Sequence, residues 1–496
     1  MQINKYSGTI FLCLVLMLCC AEVGFPQTMW TKIYGGNGWE WPYEVRQMPD
    51  GGYIIAGWTD SFDPGHYSDG WLVRTDVLGD TIWTETYGGD LPDEIYALEL
   101  IPTDGFLLAG VNSSYNGGVW LIRTNLSGDT IWTKDFGETI DGEAFSVRST
   151  LDGNFILGGG IWSFVAGEYD AWLMKVDLSG DSLWFRIYGG IDYDRVFSVL
   201  PTSDNGYLAL GVTESFGAGS ADGWLIKTNA TGDTLWTRTY GGPFDDNLIS
   251  FQHTTDGGYI LAGSTSSFGN GNGDVWLIKT NAVGDTIWTK TYGGTESDGI
   301  YSICQTIDGG YIMTGATRSY GAGWYDLWLI RTNSIGDTIW TKTFGGKSGD
   351  YGYSVQQTSD GGYIVAGRAV FSSPSGSPDL WLIKTDAFGN TLMDLKTKDN
   401  NIGFNNFELR QNYPNPFNPT TSISYALPSL QRVEIIVYNL LGQKVRTLVN
   451  AVQNAGTHRI EWNGTNDLGN AVGSGIYLYQ LKTEERTLVR KMILMK

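Results

Sequence analysis

Carboxylates are the most frequent charged groups in this chain. Residues 28–393 contain 44 Asp and Glu against 19 Lys and Arg, and two sets of aspartates recur at a spacing of about 50 residues. Such carboxylates could bind cations or sugar hydroxyls, and a pair could serve as acid and base in glycoside cleavage. Alternatively, each accepts hydrogen bonds from backbone N–H groups of its own loop, and the recurrence favours this structural role. The first set is Asp93, Asp141, Asp194, Asp246, Asp298 and Asp350, and the second is Asp69, Asp170, Asp222, Asp274, Asp326 and Asp379.

Several aromatic residues and one histidine occur where the recurring pattern is broken. Because the other segments fold without them, they are better candidates for ligand binding than residues that recur. Exposed aromatic rings stack on sugar faces or anchor a protein partner. The alternative for each is ordinary packing within a loop. The predicted ligand-binding residues are Trp39, Trp41, His66, Tyr67, Tyr115, Trp162, Trp324 and Tyr325.

Internal repetition organises most of the chain. The phrase Trp-Thr-Lys-Thr-Tyr-Gly-Gly, with variants, recurs at spacings of 49 to 53 residues, accompanied by Asp-Gly-Gly-Tyr-Ile and Trp-Leu-Ile-Lys. A repeat of this length is typical of propellers and other repeat folds. The first phrase begins at Trp30, Trp83, Trp132, Trp184, Trp236, Trp288 and Trp340.

Each repeat contains four strand patterns, which we call a, b, c and d. In the sixth repeat they are predicted at residues 300–306, 311–317, 326–332 and 338–344, separated by Gly, Asp and Asn clusters. No segment has the 3.6-residue apolar period of a helix. Four antiparallel strands in each of seven repeats predict an all-β fold, a seven-bladed β-propeller over residues 28–394. A lone strand at 28–34 is predicted to complete the seventh blade.

Strand alternation places the loops on two rims. The a–b and c–d turns share one rim and are short and uniform. The d–a and b–c loops share the other, which we call the variable rim, and the candidate aromatic residues lie there. Variable loops on a rigid scaffold are where binding usually occurs.

The c–d turn carries a further pattern. Asp76-x-x-Gly79-x-x-x-Trp83 recurs in later repeats, with Asn in the first place at Asn229, Asn281 and Asn333. This pattern resembles the tryptophan-docking motif of pyrroloquinoline-quinone-type propeller repeats, where it is structural. The resemblance implies blade geometry only, and no cofactor is predicted.

Catalytic motifs are missing from the sequence. It has no G-x-S-x-G elbow, no H-E-x-x-H pair, no phosphate-binding loop and no sialidase-type Asp-box. His253 occupies a strand a position where other repeats have Gln, which favours a structural histidine. Whether calcium binds is left open, since no EF-hand or nonapeptide ligand spacing is present.

Residues 1–27 predict a secretory signal peptide. Lys5 gives a positive start, and the apolar stretch 10–20 is too short to be a stable membrane anchor. Three of the four cysteines lie here, so only Cys304 remains after cleavage and an intramolecular disulfide cannot form. No other apolar run is long enough for a transmembrane helix.

After a polar linker at 395–406, residues 407–496 differ in charge and pattern, with 10 Lys and Arg against 6 Asp and Glu. Short alternating strands predict a small immunoglobulin-like β-sandwich. Several motif residues, in this order, closely resemble the type A sorting domain of type IX secretion substrates of Bacteroidota-like bacteria. The resemblance implies Sec export, passage across the outer membrane by the type IX machinery, and a cargo on the cell surface or released. The motif residues are Tyr413, Pro414, Asn415, Pro416, Phe417, Gly442, Gly475, Tyr477 and Lys491.

These observations favour a secreted or cell-surface binding protein, predicted to be a monomer, that uses the variable rim for a glycan or a surface protein. The alternatives are a secreted polysaccharide-active hydrolase or lyase, and a structural spacer in the cell envelope. A net charge of −21 argues against nucleic acid as a partner, because phosphate backbones are repelled.

Overall fold

The computed structural model of the chain describes residues 29–62, 67–101, 103–114, 117–137, 141–162, 168–370, 377–391, 408–409, 412, 415, 417–427, 431–453, 456–483 and 487–495. The predicted signal peptide and linker lie outside these ranges. The chain divides into two compact units, Met1–Leu395 and Lys396–Lys496. None of the residues just given belongs to a helix long and apolar enough to cross a membrane.

The N-terminal unit is a closed ring of β-sheets, which confirms the predicted seven-bladed β-propeller. Within the described residues, seven sheets each have four antiparallel strands in the order a, b, c, d. Strand a of every blade contacts strand a of the next, including between the seventh and first blades. Strand a therefore lies nearest the axis, and the mostly exposed strand d forms the outer edge.

Strands a and b form the inner half of each blade. Strand a is β2 (Glu40–Gln47), β6 (Asp93–Ile101), β10 (Gly142–Ser149), β14 (Asp194–Pro201), β18 (Asp246–His253), β22 (Asp298–Gln305) and β26 (Tyr351–Gln357). Strand b is β3 (Tyr53–Thr59), β7 (Gly105–Asn112), β11 (Phe155–Trp162), β15 (Tyr207–Thr213), β19 (Tyr259–Thr265), β23 (Tyr311–Thr317) and β27 (Tyr363–Ala369).

Strands c and d form the outer half. Strand c is β4 (Asp69–Thr75), β8 (Val119–Thr124), β12 (Tyr169–Val176), β16 (Asp222–Thr228), β20 (Asp274–Thr280), β24 (Asp326–Thr332) and β28 (Asp379–Thr385). Strand d is β5 (Thr81–Tyr87), β9 (Thr130–Asp135), β13 (Ser182–Tyr188), β17 (Thr234–Tyr240), β21 (Thr286–Tyr292), β25 (Thr338–Phe344) and, in the seventh blade, β1 (Trp30–Tyr34).

The first strand of the ring closes it. β1 pairs antiparallel with β28, with Trp30 opposite Lys384 and Tyr34 opposite Leu380. This confirms that the N-terminal strand completes the seventh blade and leaves no open edge between the first and last blades. In the sixth blade the predicted bounds of strands b, c and d match, whereas strand a begins earlier, at Asp298, because Asp298 still pairs with Thr317.

A tryptophan from strand d docks on the next blade at each junction. Trp288 lies on Gly336, where an added Cβ would be 2.9 Å from the indole. The φ of Gly336 is +80°, a left-handed conformation that favours glycine. The resemblance to the tryptophan-docking motif is thereby confirmed as a contact between blades. The docked pairs are Trp30–Gly79, Trp83–Gly128, Trp132–Gly180, Trp184–Gly232, Trp236–Gly284, Trp288–Gly336 and Trp340–Gly389.

Polar contacts accompany the docked tryptophan. The hydroxyl of Tyr292 donates a hydrogen bond of 2.6 Å to the carbonyl oxygen of Gly336, and the ammonium of Lys290 lies 3.1 Å from a carboxylate oxygen of Asp337. The ion pair is exposed and contributes little to stability. The tyrosine satisfies a turn carbonyl that the neighbouring indole shields from water.

The a–b turn is fixed by a cation from strand c of the same blade. In the fifth blade the buried Lys279 lies 3.0 Å from Asp256. The hydroxyl of Thr254 and the ammonium of Lys279 lower the pKa of Asp256 to about 2. The equivalent pairs are Arg74–Asp50, Arg123–Asp104, Lys175–Asp152, Lys227–Asp204, Arg331–Asp308 and Lys384–Asp360.

The C-terminal unit confirms the predicted small β-sandwich. Its described residues form a three-stranded and a four-stranded sheet. Both sheets contribute to one core that includes Phe417, Tyr425, Trp462 and Tyr479. The strands are β29 (Glu408–Leu409), β30 (Thr421–Leu427), β31 (Gln431–Asn439), β32 (Lys444–Gln453), β33 (Gly456–Trp462), β34 (Gly475–Lys482) and β35 (Thr487–Leu494).

The docking contact can be tested with two glycines of the sixth blade. Gly336 and Gly309 have φ values of +80° and +82°, but an added Cβ at Gly309 would meet nothing within 4 Å. We expect Gly309→Ala to cost only backbone strain, about 1–2 kcal/mol. Gly336→Ala should cost about 1–3 kcal/mol more, because the methyl group overpacks against Trp288. Urea unfolding followed by tryptophan fluorescence measures both, and equal losses would contradict the docking role.

Candidate functional site

The central channel is lined by alternate residues of strand a. Its second and fourth residues are half-buried between buried neighbours, so they face the axis of the ring. In the seventh blade, where β26 begins one position later, Asp350 is counted as the first residue and Tyr351 and Tyr353 as the second and fourth. Ring centroids of neighbouring fourth residues are 5.0 Å apart for Tyr43 and Tyr96 and 5.1 Å apart for Tyr301 and Tyr353. These side chains narrow the channel, and we call them the collar. The collar is Tyr43, Tyr96, Phe145, Phe197, Ile249, Tyr301 and Tyr353.

The second residue of strand a lies between the collar and the variable rim, at what we call the channel mouth. Its identity varies among the blades, with Glu in two of them and acidic, basic, aromatic and very small side chains in the set. The repeat that builds the fold therefore does not extend to this position, and the mouth is asymmetric. The mouth residues are Trp41, Glu94, Glu143, Arg195, Asn247, Gly299 and Tyr351.

A continuous line of five aromatic rings runs from the variable rim into the mouth, and we call it the aromatic ribbon. Its outer end is Trp324, with its ring centroid 5.9 Å from that of Tyr325. Tyr325 is 5.3 Å from Tyr351, which stacks on Tyr353 at 6.3 Å with an interplanar angle of 17°. Tyr353 is 5.5 Å from Trp41 at the inner end. The ribbon thus joins the sixth, seventh and first blades.

Arginine side chains accompany the ribbon. The guanidinium of Arg368, on β27, lies 3.5 Å from the ring centroid of Trp41 and 4.7 Å from that of Tyr351. The guanidinium of Arg318 lies 5.7 Å from Tyr325. Cations over aromatic faces are favourable, and the stacking fixes the orientation of both partners.

A second cluster lies at the third and fourth blades. The guanidinium of Arg195 is 4.0 Å from the ring centroid of Tyr169, and Tyr169 is 5.3 Å from Trp162. Arg195 also lies 3.3 Å from a carboxylate oxygen of Glu143. This cluster places a charged pair on the other side of the mouth from the ribbon.

Two mouth carboxylates interact. Burial raises the pKa of Glu94, and the negative charge of Glu143 raises it further. Burial also raises the pKa of Glu143, while the charge of Arg195 acts in the opposite direction. The mouth therefore holds two acids with a raised affinity for protons, a property found at many functional sites.

The recurring aspartates have the structural role that the sequence favoured. The first residue of strand a accepts hydrogen bonds from its own loop: Asp298 accepts from the Gly294 N–H at 2.9 Å and from the hydroxyl groups of Thr317 and Ser319. At the start of strand c, Asp326 accepts from the N–H groups of Ala322 and Gly323, both at 2.9 Å. Within the described ranges, no three His, Cys, Asp or Glu side chains are grouped as a metal site.

Asp350 departs from this pattern. It accepts a hydrogen bond of 2.8 Å from the Gly346 N–H, but the position that carries Thr317 in the sixth blade is Ala369 in the seventh. Burial, together with the charge of Asp326, raises the pKa of Asp350 to about 6.

The predicted ligand-binding residues lie at several separate places on the variable rim and the channel mouth. Trp41, Trp324 and Tyr325 lie together in the ribbon, and Trp162 lies in the Arg195 cluster. Trp39 and Tyr67 are exposed on the rim. Two further candidates, His66 and Tyr115, lie outside the described residues.

The sequence analysis missed the strand residues at the mouth. Arg368 lies within a predicted strand b, which was treated as framework, and Tyr351, Arg195 and Glu143 lie at the position just before the predicted strand a. Aligning the seven repeats would have revealed them, since the residues at these two positions vary among the blades whereas the framework residues recur. His253 has the structural environment that was expected, with Nε2 at 3.1 Å from the carbonyl oxygen of Pro201 in the preceding blade.

In the C-terminal unit, motif residues near its start pair with residues near 494. The Phe417 N–H donates to the carbonyl oxygen of Ile493 at 3.0 Å, and the Met495 N–H donates to that of Phe417 at 2.9 Å. The side-chain oxygen of Asn415 accepts a hydrogen bond of 2.8 Å from the Ile493 N–H. The Phe417 ring packs 5.6 Å from Trp462.

The other motif residues have distinct environments. The Tyr477 hydroxyl donates a hydrogen bond of 2.7 Å to the carbonyl oxygen of Gly473, and its ring is 5.2 Å from Trp462. Gly442 has a φ of +75° in the turn after β31. Gly475 begins β34, and Lys491 is exposed on β35. The remaining motif residues, Tyr413, Pro414 and Pro416, lie outside the described residues.

Residues 411–495 match the family model of the secretion system C-terminal sorting domain. The C-terminal unit is a type IX sorting domain. It directs the protein to the outer cell surface or the medium, and it interacts with the type IX secretion machinery. The propeller is the cargo that this sorting domain accompanies.

Solved structures are similar to the chain at low identity. PorZ, an essential surface component of the type IX secretion system of Porphyromonas gingivalis, is 13% identical, with 93% of this chain and 60% of PorZ covered and a TM-score of 0.41. The chain thus spans about 60% of the length of PorZ. The β-propeller domain of the trilobed protease from Pyrococcus furiosus is 8% identical, with 72% and 98% covered and a TM-score of 0.38. No curated protein matches the chain.

Asp350 predicts a pH dependence of stability. Its folded pKa lies above the unfolded value, so the folded state binds more protons and the free energy of unfolding falls as pH rises from about 4 through 6. Asp350→Asn should remove this pH dependence, and its free energy of unfolding should exceed that of the wild type by about 1–3 kcal/mol between pH 4.5 and 7.5. Thermal unfolding at pH 4.5, 6 and 7.5 measures the difference.

Asp298→Asn is the matched control one blade earlier. Its carboxylate accepts hydrogen bonds from two hydroxyl groups, so this substitution should destabilise the protein at pH 7.5. A parallel response of the two variants to pH would contradict the distinct environment of Asp350.

The sorting domain predicts a link between packing and export. Phe417 is 2% exposed, so Phe417→Ala should destabilise the domain by about 3–5 kcal/mol and reduce the propeller delivered to the surface or medium. Limited proteolysis and the ratio of external to periplasmic protein measure both effects. The control is Leu468→Ala, because Leu468 is 84% exposed and its truncation should leave domain stability unchanged. Normal export with an unfolded sorting domain would contradict the link.

Proposed function

We propose that this propeller is a secreted or cell-surface carbohydrate-binding protein and that its binding site is the aromatic ribbon at the channel mouth. The observation that carries the proposal is the unbroken line of rings from Trp324 to Trp41. Successive sugar rings of an oligosaccharide can stack on successive aromatic faces, since both are flat and partly apolar. Export to the outside of the cell brings the protein to where polysaccharides occur.

The surroundings of the ribbon support a bound chain. At the mouth, the fifth and sixth blades contribute only Asn247 and Gly299, which leaves space beside Tyr351. Trp324 is 63% exposed although it is a large aromatic residue. The other four ribbon residues are half-buried. A line of rings that begins at an exposed tryptophan favours a binding surface over a structural spacer, which has no need of one.

A second candidate function is cleavage of a polysaccharide. Glu94 and Glu143 at the mouth favour it, because burial raises the pKa of both carboxyl groups, as it does for the general acids of glycoside cleavage. Shortening of an oligosaccharide that stops in Glu143→Gln would support the enzyme. The variety of mouth residues gives room for such an asymmetric centre, which the regular loops alone did not suggest.

A glycan array with the purified protein tests the binding proposal. We expect selective binding of oligosaccharides, and at least tenfold weaker binding for Trp324→Ala, the loss typical of an aromatic anchor. Phe244→Ala is the matched control, because Phe244 is 59% exposed on the same rim but lies in the fifth blade, outside the ribbon. Equal losses in the two variants, or no binding to any glycan, would refute the ribbon as a sugar site.

A further inference from the structure

Arg368 lies at the inner end of the ribbon in an unusual environment. It is the cross-strand partner of Tyr351 on β26, and its guanidinium is held between the rings of Trp41 and Tyr351. Stacking covers the two faces of a guanidinium and leaves its N–H donors at the edge, in the plane where a second partner can bind.

Within the described residues, no carboxylate lies within ion-pair distance of Arg368. The arginines at other places in the ring do have one: Arg195 lies 3.3 Å from Glu143, and Arg331 lies 2.5 Å from Asp308. The Nε atom of Arg368 is buried without a hydrogen-bond partner. In a region with 44 acidic against 19 basic residues, an unpaired arginine is the exception.

The fold does not require a cation at this position. The six other blades place aromatic, aliphatic or small residues there, so the blade packs equally well without a charge. These equivalent residues are Trp58, Val111, Gly160, Val212, Ser264 and Ala316. Arg368 has aromatic neighbours, which stabilise its charge, but no anionic partner among the described residues, so an anion on a ligand can pair with it.

Arg318 provides a second positive charge at the outer end of the ribbon. Its guanidinium lies 5.7 Å from Tyr325 and 6.0 Å from Trp324. Its nearest carboxylate, that of Glu296, is 3.9 Å away, beyond hydrogen-bond distance. Two guanidinium groups therefore lie along the same line of rings, one at each end.

We propose that the ribbon binds an anionic polysaccharide, whose sugar rings stack on the aromatic residues while its carboxylate or sulfate groups pair with Arg368 and Arg318. Guanidinium forms bidentate hydrogen bonds with these oxyanions, which gives direction as well as charge. Because the net acidic charge of the propeller repels polyanions in general, binding depends on these two local arginine contacts. This inference rests on the proposed carbohydrate site and names the class of sugar it selects.

Isothermal titration of the full chain with three probes of equal length tests the inference: an oligogalacturonate, a sulfated galactan oligosaccharide and a neutral galactan oligosaccharide. We expect the wild type to bind at least one charged probe about tenfold more tightly than the neutral one, with affinity falling as salt is added. Whether the carboxylate or the sulfate probe binds better identifies the anion.

Substitutions separate charge from stacking. Arg368→Gln should lose about tenfold in affinity for the charged probe and leave binding of the neutral probe unchanged, whereas Trp324→Ala should weaken both. Arg318→Gln provides a second charge variant if Arg368→Gln fails to fold, as circular dichroism would show. Arg238→Gln is the control, because Arg238 lies on outer strand β17 and pairs with Asp285.

The outcomes distinguish the two proposals. Equal binding of charged and neutral probes, or full charged-probe affinity in both Arg368→Gln and Arg318→Gln, would overturn the anionic ligand while leaving the sugar site intact. Absence of binding to all three probes, with binding to a poly-glutamate peptide, would overturn both and indicate a protein ligand.

Discussion

The packing of a strand d tryptophan on the glycine of the next c–d turn is the contact on which this propeller depends. It occurs at every junction, and the glycine has the backbone conformation and the lack of a side chain that the indole requires. With strand c cations fixing the a–b turns, it makes one rim of the ring uniform. The opposite rim also links the blades, through recurring backbone hydrogen bonds such as that from the Asp298 N–H to the carbonyl oxygen of Gly273 at 2.8 Å. Most side chains of its loops take no part in these contacts and can therefore differ between blades.

The division between residues that hold the blades and residues that do not explains the composition of the channel mouth. Residues that hold the blades recur, whereas the second residue of strand a faces the axis and is free to differ. The result is a ribbon with two arginines on one side of the mouth and a Glu–Arg cluster on the other. Only three blades contribute to the ribbon, so a sevenfold scaffold presents a site without sevenfold symmetry.

Much of the fold could be predicted from the sequence because the same pattern of strands and turns occurs in seven copies. Strands b, c and d of the sixth blade and the closing role of β1 followed from periodicity and turn residues. The site was only partly accessible: Trp41, Trp324 and Tyr325 were identified, but not that they form one line. Their approach depends on ring closure, which brings the first blade beside the seventh. Arg368 was missed because residues of predicted strands were treated as framework, although no other blade has a charged residue at this position.

Closure by β1 and β28 also constrains how the molecule can be made. The first strand, β1, cannot pair until β28 near the end of the propeller has formed, since Trp30 lies opposite Lys384. Joining distant segments costs little extra free energy, about 0.6 kcal/mol per doubling of the intervening length, but it slows folding. Until then the backbone of β28 is an open edge that can pair with a wrong strand. A chain still threaded through a membrane cannot form the finished ring, so translocation of the whole propeller must precede its last folding step.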